Sequence, residues 1–247
     1  MQALEIEGML KDAFATEGAA GLLRTAATCF GAQLVFASSF SVEDVVVTDL
    51  LARTGQPFRL VTLDTGRLPE ETHSTLERVR QRYGVTVEVF FPNTQAVEAL
   101  VRLKGTTSFY ESVENRRECC GVRKVEPLGR ALQGARAWVT GMRRAQSVTR
   151  TALDAVERDA SHEGAWKLSP LADWSDEDVW AYARKEALPY NRLHDRGYPS
   201  IGCAPCTRAV APGDDVRSGR WWWESADHKE CGLHLREPTG TPSGAAT

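Results

Sequence analysis

The stretch Gln33–Arg67, QLVFASSFSVEDVVVTDLLARTGQPFRLVTLDTGR, decides the fold. It opens on a short apolar run, QLVFASS (Gln33–Ser39), turns on serines, and enters a helical pattern from Glu43 to Arg53. A second apolar run follows, FRLVTLDTG (Phe58–Gly66), and then a helix from about Pro69 to Tyr83. The alternation continues outward. VTVEVF (Val85–Phe90) precedes a helix over Thr94–Lys104, and ARAWVTG (Ala135–Gly141) supplies a fourth run. Strands alternating with helices predict an α/β protein with a doubly wound, mainly parallel sheet. Ligands of such sheets bind beyond the carboxyl ends of the strands. Here those ends are Ser38-Ser39-Phe40-Ser41, Leu63-Asp64-Thr65-Gly66-Arg67 and Thr140-Gly141-Met142-Arg143-Arg144.

The flanks complete the outline. Residues 1–31 read as two N-terminal helices, broken near Gly18 and ended at Gly31. After Arg150 the alternation stops. SDEDVWAYARKEAL is a helix capped by Ser175, with Asp178 three residues on as a variant capping box, and Pro189 ends it. From Tyr190 the chain is rich in Gly, Pro and Arg and shows little periodicity. The expected organisation is one α/β domain over 1–235, whose 190–235 segment is irregular, and a disordered tail, EPTGTPSGAAT, over 236–247.

Composition narrows the function classes. The 247 residues are 42% hydrophobic and 26% charged, as in an ordinary globular protein. A net charge of −3 gives no reason to expect general nucleic-acid or membrane binding. No apolar stretch is long enough to span a bilayer. The start, MQALEIEGMLKDAFATEG, lacks the basic and apolar regions of a secretory signal, so a cytoplasmic location is expected. Thiols stay reduced there, and clustered cysteines then point to metal or catalysis.

Six cysteines are present, and their spacing is informative. Cys119 and Cys120 are adjacent, and Cys203 and Cys206 form Cys-Ala-Pro-Cys. Four thiolates can hold a tetrahedral zinc ion or the four corners of an iron–sulfur cubane. Adjacent side chains on a helix diverge by roughly a third of a turn. That spacing suits two corners of a cluster better than one small ion. Cys29 lies on an apolar helical stretch and reads as a small buried hydrophobe. Cys231 stands apart in Glu-Cys-Gly-Leu-His, with His234 three residues on. A cationic neighbourhood there would raise its thiolate fraction and make it a nucleophile.

The anion-binding signals are individually weak. Ser38, Ser39 and Ser41 precede a helix start where backbone N–H groups can hold a phosphate, yet taken alone the same turn reads more readily as an N-cap. Asp64 can accept from a ribose hydroxyl or merely fix its turn. Lys124 follows the cysteine pair by one turn. Arg143 and Arg144 follow the fourth strand, and Arg217 and Arg220 adjoin Trp221-Trp222-Trp223. Each alone reads as a solvated charge. Gathered at strand ends and beside the cysteines, they point to one ligand with more than one anionic group. The three tryptophans read as an anchor for the irregular segment.

These pieces together resemble the assimilatory sulfonucleotide reductases, specifically the iron–sulfur adenylyl-sulfate reductases of bacteria and plants. The most specific are Arg-Glu-Cys-Cys-Gly-Val-Arg-Lys-Val-Glu-Pro-Leu, Ile-Gly-Cys-Ala-Pro-Cys-Thr-Arg, Arg-Ser-Gly-Arg-Trp-Trp-Trp-Glu and Glu-Cys-Gly-Leu-His-Leu. The resemblance runs from about Leu34 to Leu235. It implies an adenine-nucleotide alpha-hydrolase-like fold and thioredoxin-dependent reduction of adenosine 5'-phosphosulfate to sulfite and AMP, in sulfate assimilation towards cysteine. It implies a 4Fe-4S cluster on Cys119, Cys120, Cys203 and Cys206, and Cys231 as the nucleophile, carrying a thiosulfonate intermediate. Lys124 and His234 would assist at the reacting centre. Ser38, Ser39, Leu63, Asp64, Thr65, Arg143, Arg144, Arg217 and Arg220 would line the substrate site. Val42 and Ala145 depart from the family pattern at fine contacts. Two alternatives compete: a phosphoadenylyl-sulfate reductase, and a metal-dependent nucleic-acid-binding or tRNA-thiolating protein. The second expects a Ser-Gly-Gly-x-Asp-Ser loop, where this chain has Ser-Ser-Phe-Ser-Val-Glu-Asp. Thioredoxin or a related dithiol protein is the expected partner, and a homo-oligomer is compatible with the chain.

Overall fold

A computed structural model describes residues 3–146 and 152–225. Six strands form one sheet in the order β3-β2-β1-β4-β6-β5. They are β1 (Leu34–Ala37), β2 (Arg59–Leu63), β3 (Val87–Phe90), β4 (Ala137–Val139), β5 (Val156–Asp159) and β6 (Ala165–Leu168). All neighbours pair in parallel except β5 and β6.

Side chains alternate across a strand, so each central strand feeds two cores. Leu34 and Phe36 of β1, with Ala137 and Val139 of β4, face one core. Val35 and Trp138 face the other. On the first face lie α1 (Ala3–Phe30), α2 (Val42–Ala52), α3 (Glu70–Tyr83) and α7 (Asp176–Lys185). On the second, Leu128 and Ala131 of α6 (Glu126–Ala131) cover Val35, Val61 and Trp138. Helix α2 is buried along nearly its whole length because α1 and α7 both pack on it. Tertiary burial thus overrides the modest helix propensity of its Val45-Val46-Val47 run.

The first four strands and the helices α3 and α4 (Thr94–Lys104) lie within a few residues of their sequence-derived ranges. Helix α1 breaks at Gly18, which takes φ +60°, ψ −142°. The Ser175 hydroxyl accepts from the Asp178 amide and the Asp178 carboxylate accepts from the Ser175 amide, a closed capping box. Three features differ from expectation. Helix α7 ends at Lys185, ahead of Pro189, and Ala187 takes φ +48°. The hairpin β5–β6 was not expected, because its four-residue strands carry Glu157, Arg158 and Lys167 in place of an apolar run. Helix α5 (Val113–Cys120) passes through a π-helical turn, Gly121–Val125, into α6. The cysteine pair therefore sits where a regular helix loosens.

From β1 the chain winds to β2 and β3 on one side, then returns to β4 on the other. The sheet's switch point, and hence its ligand crevice, lies between the ends of β1 and β4.

Candidate active site

A cavity of about 770 Å³ opens at that switch point. Its first wall is the loop after β1. Ser41 caps α2, its hydroxyl accepting from the Asp44 amide at 3.4 Å. Ser38 accepts from the Phe40 amide at 3.1 Å, and Ser39 donates its amide and hydroxyl to Asp44 at 2.5 and 2.7 Å. Phe40 takes φ +57° while fully buried, which fixes the loop's shape. Burial pushes the Asp44 carboxyl up to about 6, against the Ser39 hydrogen bonds. Gly141, after β4, approaches so closely that a Cβ there would overlap the Asp44 carboxylate.

Leu63, at the end of β2, and Thr65, just after it, also line the cavity. Asp64 does not. Its carboxylate accepts from the Gly66 amide at 2.8 Å and meets His73 Nε2 at 2.9 Å, so it fixes the turn. Arg143 lines the cavity, but it is only 2% exposed and ion-paired with Glu43 at 2.9 Å and with Asp176. Arg143 and its hydrogen bonds hold the Glu43 carboxyl below its usual range in spite of burial, the largest opposing effect. Arg144 faces away from the cavity, pairing with Asp173 and donating to the Leu153 carbonyl.

Lys124, Arg217 and Arg220 complete the basic wall. Arg220 is 7% exposed, and its Nε has no hydrogen-bond partner among the described residues. Its guanidinium lies 4.7 Å from the centroid of Trp221, itself 1% exposed. Among the lining residues that escaped the sequence reading are Trp180, Tyr190 and His194. Their rings pack edge-on around Trp180, and burial lowers the His194 pKa. Spacing along the chain carries no signal for them, because α7 and the following 3₁₀ turn (Arg192–Arg196) meet only in the fold.

A second, smaller cavity adjoins the first. Cys119, Cys120, Cys203 and Cys206 all line it, together with Arg67, Arg123, Lys124, Arg220 and Trp221. The Cys203–Cys206 turn is docked there by local chemistry. Ala204 donates to the Arg67 carbonyl at 2.8 Å, and Thr65 Oγ1 lies 3.2 Å from Cys203 Sγ. Burial, then Cys203, pushes the Cys206 thiol up to about 12, and burial raises Cys119. Among the described residues no group of three His, Cys, Asp or Glu is placed to hold a single metal ion. The four thiols ring a cavity lined by five cationic side chains, Arg67, Arg116, Arg123, Lys124 and Arg220. That donor set fits an anionic four-thiolate cluster, because a 4Fe-4S centre takes one thiolate at each iron and the cations balance its charge. Cys231 and His234 lie outside the described residues; Cys29 packs half-buried against the main core. Among the described residues no helix is long and apolar enough to cross a membrane.

The fold is of the adenine-nucleotide alpha-hydrolase-like class, and a thiol-lined chamber adjoins its switch-point crevice. The Phosphoadenosine phosphosulfate reductase domain matches residues 33–209, and the chain belongs to the sulfonucleotide reductase family. It is 54% identical to an adenosine 5'-phosphosulfate reductase of Allochromatium vinosum, over 83% of this chain and 79% of that one. The corresponding protein of Burkholderia cepacia is 53% identical, over 85% and 84%. Among solved structures, a phosphoadenylyl-sulfate reductase from Candida auris, as its phosphate complex, superposes with a TM-score of 0.69. It is 28% identical over 85% of this chain and 98% of that one. Yeast FAD synthetase shares the fold alone, at 14% identity and a TM-score of 0.53, over 85% of this chain and 70% of that one.

Proposed function

We propose that this chain reduces adenosine 5'-phosphosulfate to sulfite and AMP, in cytoplasmic sulfate assimilation towards cysteine. Cys231 is the nucleophile and a thioredoxin-type dithiol protein the reductant. One observation carries the reading: Lys124, Arg220 and Trp221 line both the strand-end cavity and the four-cysteine cavity. A nucleotide bound at the switch point would present its anhydride where these two chambers meet.

The substrate is a mixed phosphate–sulfate anhydride. The Cys231 thiolate attacks sulfur, the sulfur–oxygen bond to the phosphate breaks, and AMP leaves with the electron pair. Cys231 then carries a thiosulfonate. Nucleophile, sulfonyl group and leaving group are all anionic, so cations must screen them and stabilise the leaving phosphate. Lys124, Arg217 and Arg220 do this. Arg143, neutralised by Glu43 and Asp176, shapes the wall without adding net charge. A protonated His234 favours the thiolate. A partner thiolate next attacks Cys231 Sγ and sulfite departs. The partner's second thiol closes its own disulfide and frees Cys231.

Cys119, Cys120, Cys203 and Cys206 would hold a 4Fe-4S cluster. When bound, that group supplies a delocalised charge beside Lys124 and tunes the field over the substrate. The relatives at 51–54% identity are named for the substrate without a 3'-phosphate. The second reading, a phosphoadenylyl-sulfate reductase, is favoured by the Candida auris relative. The test is anaerobic purification and a sulfite-release assay with each substrate and thioredoxin. Sulfite from adenosine 5'-phosphosulfate, faster than from its 3'-phosphorylated analogue, is the expected result. Equal or faster turnover of the analogue, or no sulfite at all, overturns the assignment.

A further inference from the structure

Trp221 has an environment that anchoring alone does not require. It is 1% exposed and holds φ +42°, a backbone region that bulky residues avoid. Strain of this kind persists only where the surroundings over-determine it. Two guanidiniums pack against its indole, Arg116 and Arg220, each 4.7 Å from the ring centroid. Arg217 lies at 5.9 Å. Arg116 belongs to α5, one turn before Cys119, and is itself clamped by a buried bidentate pair with Glu224. The Trp221 amide donates to the Cys206 carbonyl at 3.3 Å, which ties its backbone to the second cysteine pair.

Arg220 is confined from the other side as well. A Cβ on Gly202 would overlap its guanidinium, and among the described residues only a long 3.4 Å contact to Ser200 Oγ holds it by hydrogen bonding. Neither Arg220 Nε nor Trp221 Nε1 has a partner among the described residues. Arg220 is therefore aimed by packing, between an aromatic face and a bare glycine backbone, and no carboxylate among the described residues holds it. A guanidinium held by a ring keeps its hydrogen-bonding edges available, whereas one held by a carboxylate does not. Arg143, in the same cavity wall, shows the second condition.

We infer that Trp221 is a positioning residue. Its indole, wedged by Arg116 of the cysteine-bearing helix, fixes the direction in which Arg220 meets the anionic end of the substrate. Gly202 leaves the room that this direction needs. The inference rests on the reading of the cavity as a sulfonucleotide site.

The test measures equilibrium binding of adenosine 5'-phosphosulfate, beside KM and kcat, in Trp221→Leu, Trp221→Phe, Gly202→Ala and Arg220→Ala. Thermal unfolding and the visible absorption of the anaerobic protein report fold and cluster. Trp221→Leu is expected to weaken binding and raise KM by about tenfold, the scale of a desolvated cation–π contact. Trp221→Phe, which keeps an aromatic face, should stay within about threefold. Gly202→Ala should match Trp221→Leu although it leaves the indole in place. Neither change should add more than about twofold in the Arg220→Ala background. Full additivity there, equal losses in Phe and Leu, or unchanged binding in Gly202→Ala would each overturn the inference. If Trp221→Leu does not fold, Gly202→Ala and Trp221→Phe still decide it. Should Arg220→Ala itself bind normally, the substrate-site reading fails, and that outcome is distinct from a failure of Trp221 alone.

Discussion

Two arginines in one cavity wall show why a residue's partners matter more than its charge. Arg143 and Arg220 are both almost fully buried. Arg143 answers Glu43 and Asp176, whereas no carboxylate among the described residues pairs with Arg220. Their alanine variants should separate. Arg220→Ala is expected to weaken substrate binding by about 1.5–3 kcal/mol, the loss of one charged contact, with little effect on unfolding. Arg143→Ala leaves the buried Glu43 unpaired and should cost about 3–5 kcal/mol of stability. Denaturant unfolding beside a KM measurement distinguishes them. Unchanged stability in Arg143→Ala would show that Glu43 finds another partner. Asp44 offers a pH signature at the same scale. Its folded pKa, about 6, lies above its ordinary value of 3.8, chiefly through burial. A group raised in this way binds protons more tightly in the folded state. Its penalty is absent below about pH 4, grows between pH 4 and 6, and is complete above that. Asp44→Asn should accordingly gain about 1–3 kcal/mol at pH 8 and little at pH 4. Equal effects at both values would place the raised pKa in doubt.

At the scale of elements, the site depends on how closely a few backbones approach. The end of β4 meets the start of α2 at Gly141, where a side chain would press on Asp44 and Glu43. Gly141→Ala is expected to cost about 1–3 kcal/mol by overpacking, and to reshape the loop that Ser39 and Asp44 hold. Gly121, at the start of the π-helical turn, has open space around it and φ −54°. Alanine there meets no atom of the described residues within 4 Å, so Gly121→Ala should leave thermal unfolding unchanged. Helix α7 brings Asp176, Trp180 and Arg184 to the cavity from a closed capping box. Ser175→Ala should lower stability by about 1 kcal/mol in equilibrium denaturation. A larger loss in substrate binding than in stability would mean that the cap also sets the Asp176–Arg143 pair.

The whole molecule was unevenly legible. Four parallel strands and their helices could be read because buried strands are apolar runs and exposed helices carry capping signals, as at Ser175. The β5–β6 hairpin could not, because its four-residue strands are too short for a periodic signal, and charged Glu157, Arg158 and Lys167 interrupt the buried Val156, Ala165, Trp166 and Leu168. The same holds in the site. Residues on strand ends, such as Ser38 and Thr65, fall on the wall that the switch-point rule names. Asp64 and Arg144 do not, since each spends its charge on a neighbour. His194 and Trp180 became visible only in three dimensions. The division of the cysteines rests on both kinds of information. Cys119, Cys120, Cys203 and Cys206 share one cavity, and Cys29 belongs to the core. If that division holds, the variants have opposite phenotypes. Cys231→Ser should fold, retain about four irons and four acid-labile sulfides, and bind substrate, yet release no sulfite, because a hydroxyl is a far weaker nucleophile than a thiolate. Cys203→Ser should lose iron and, with it, activity. Cys29→Ser should change neither. In wild-type protein without a dithiol, sulfur-labelled substrate should leave its label on Cys231, and thioredoxin should then discharge the label as sulfite. Mass spectrometry of the trapped species decides the matter: label on Cys119, Cys120, Cys203 or Cys206 would mean that one of the four supposed ligands is the nucleophile and that the cavity serves chemistry rather than a cluster.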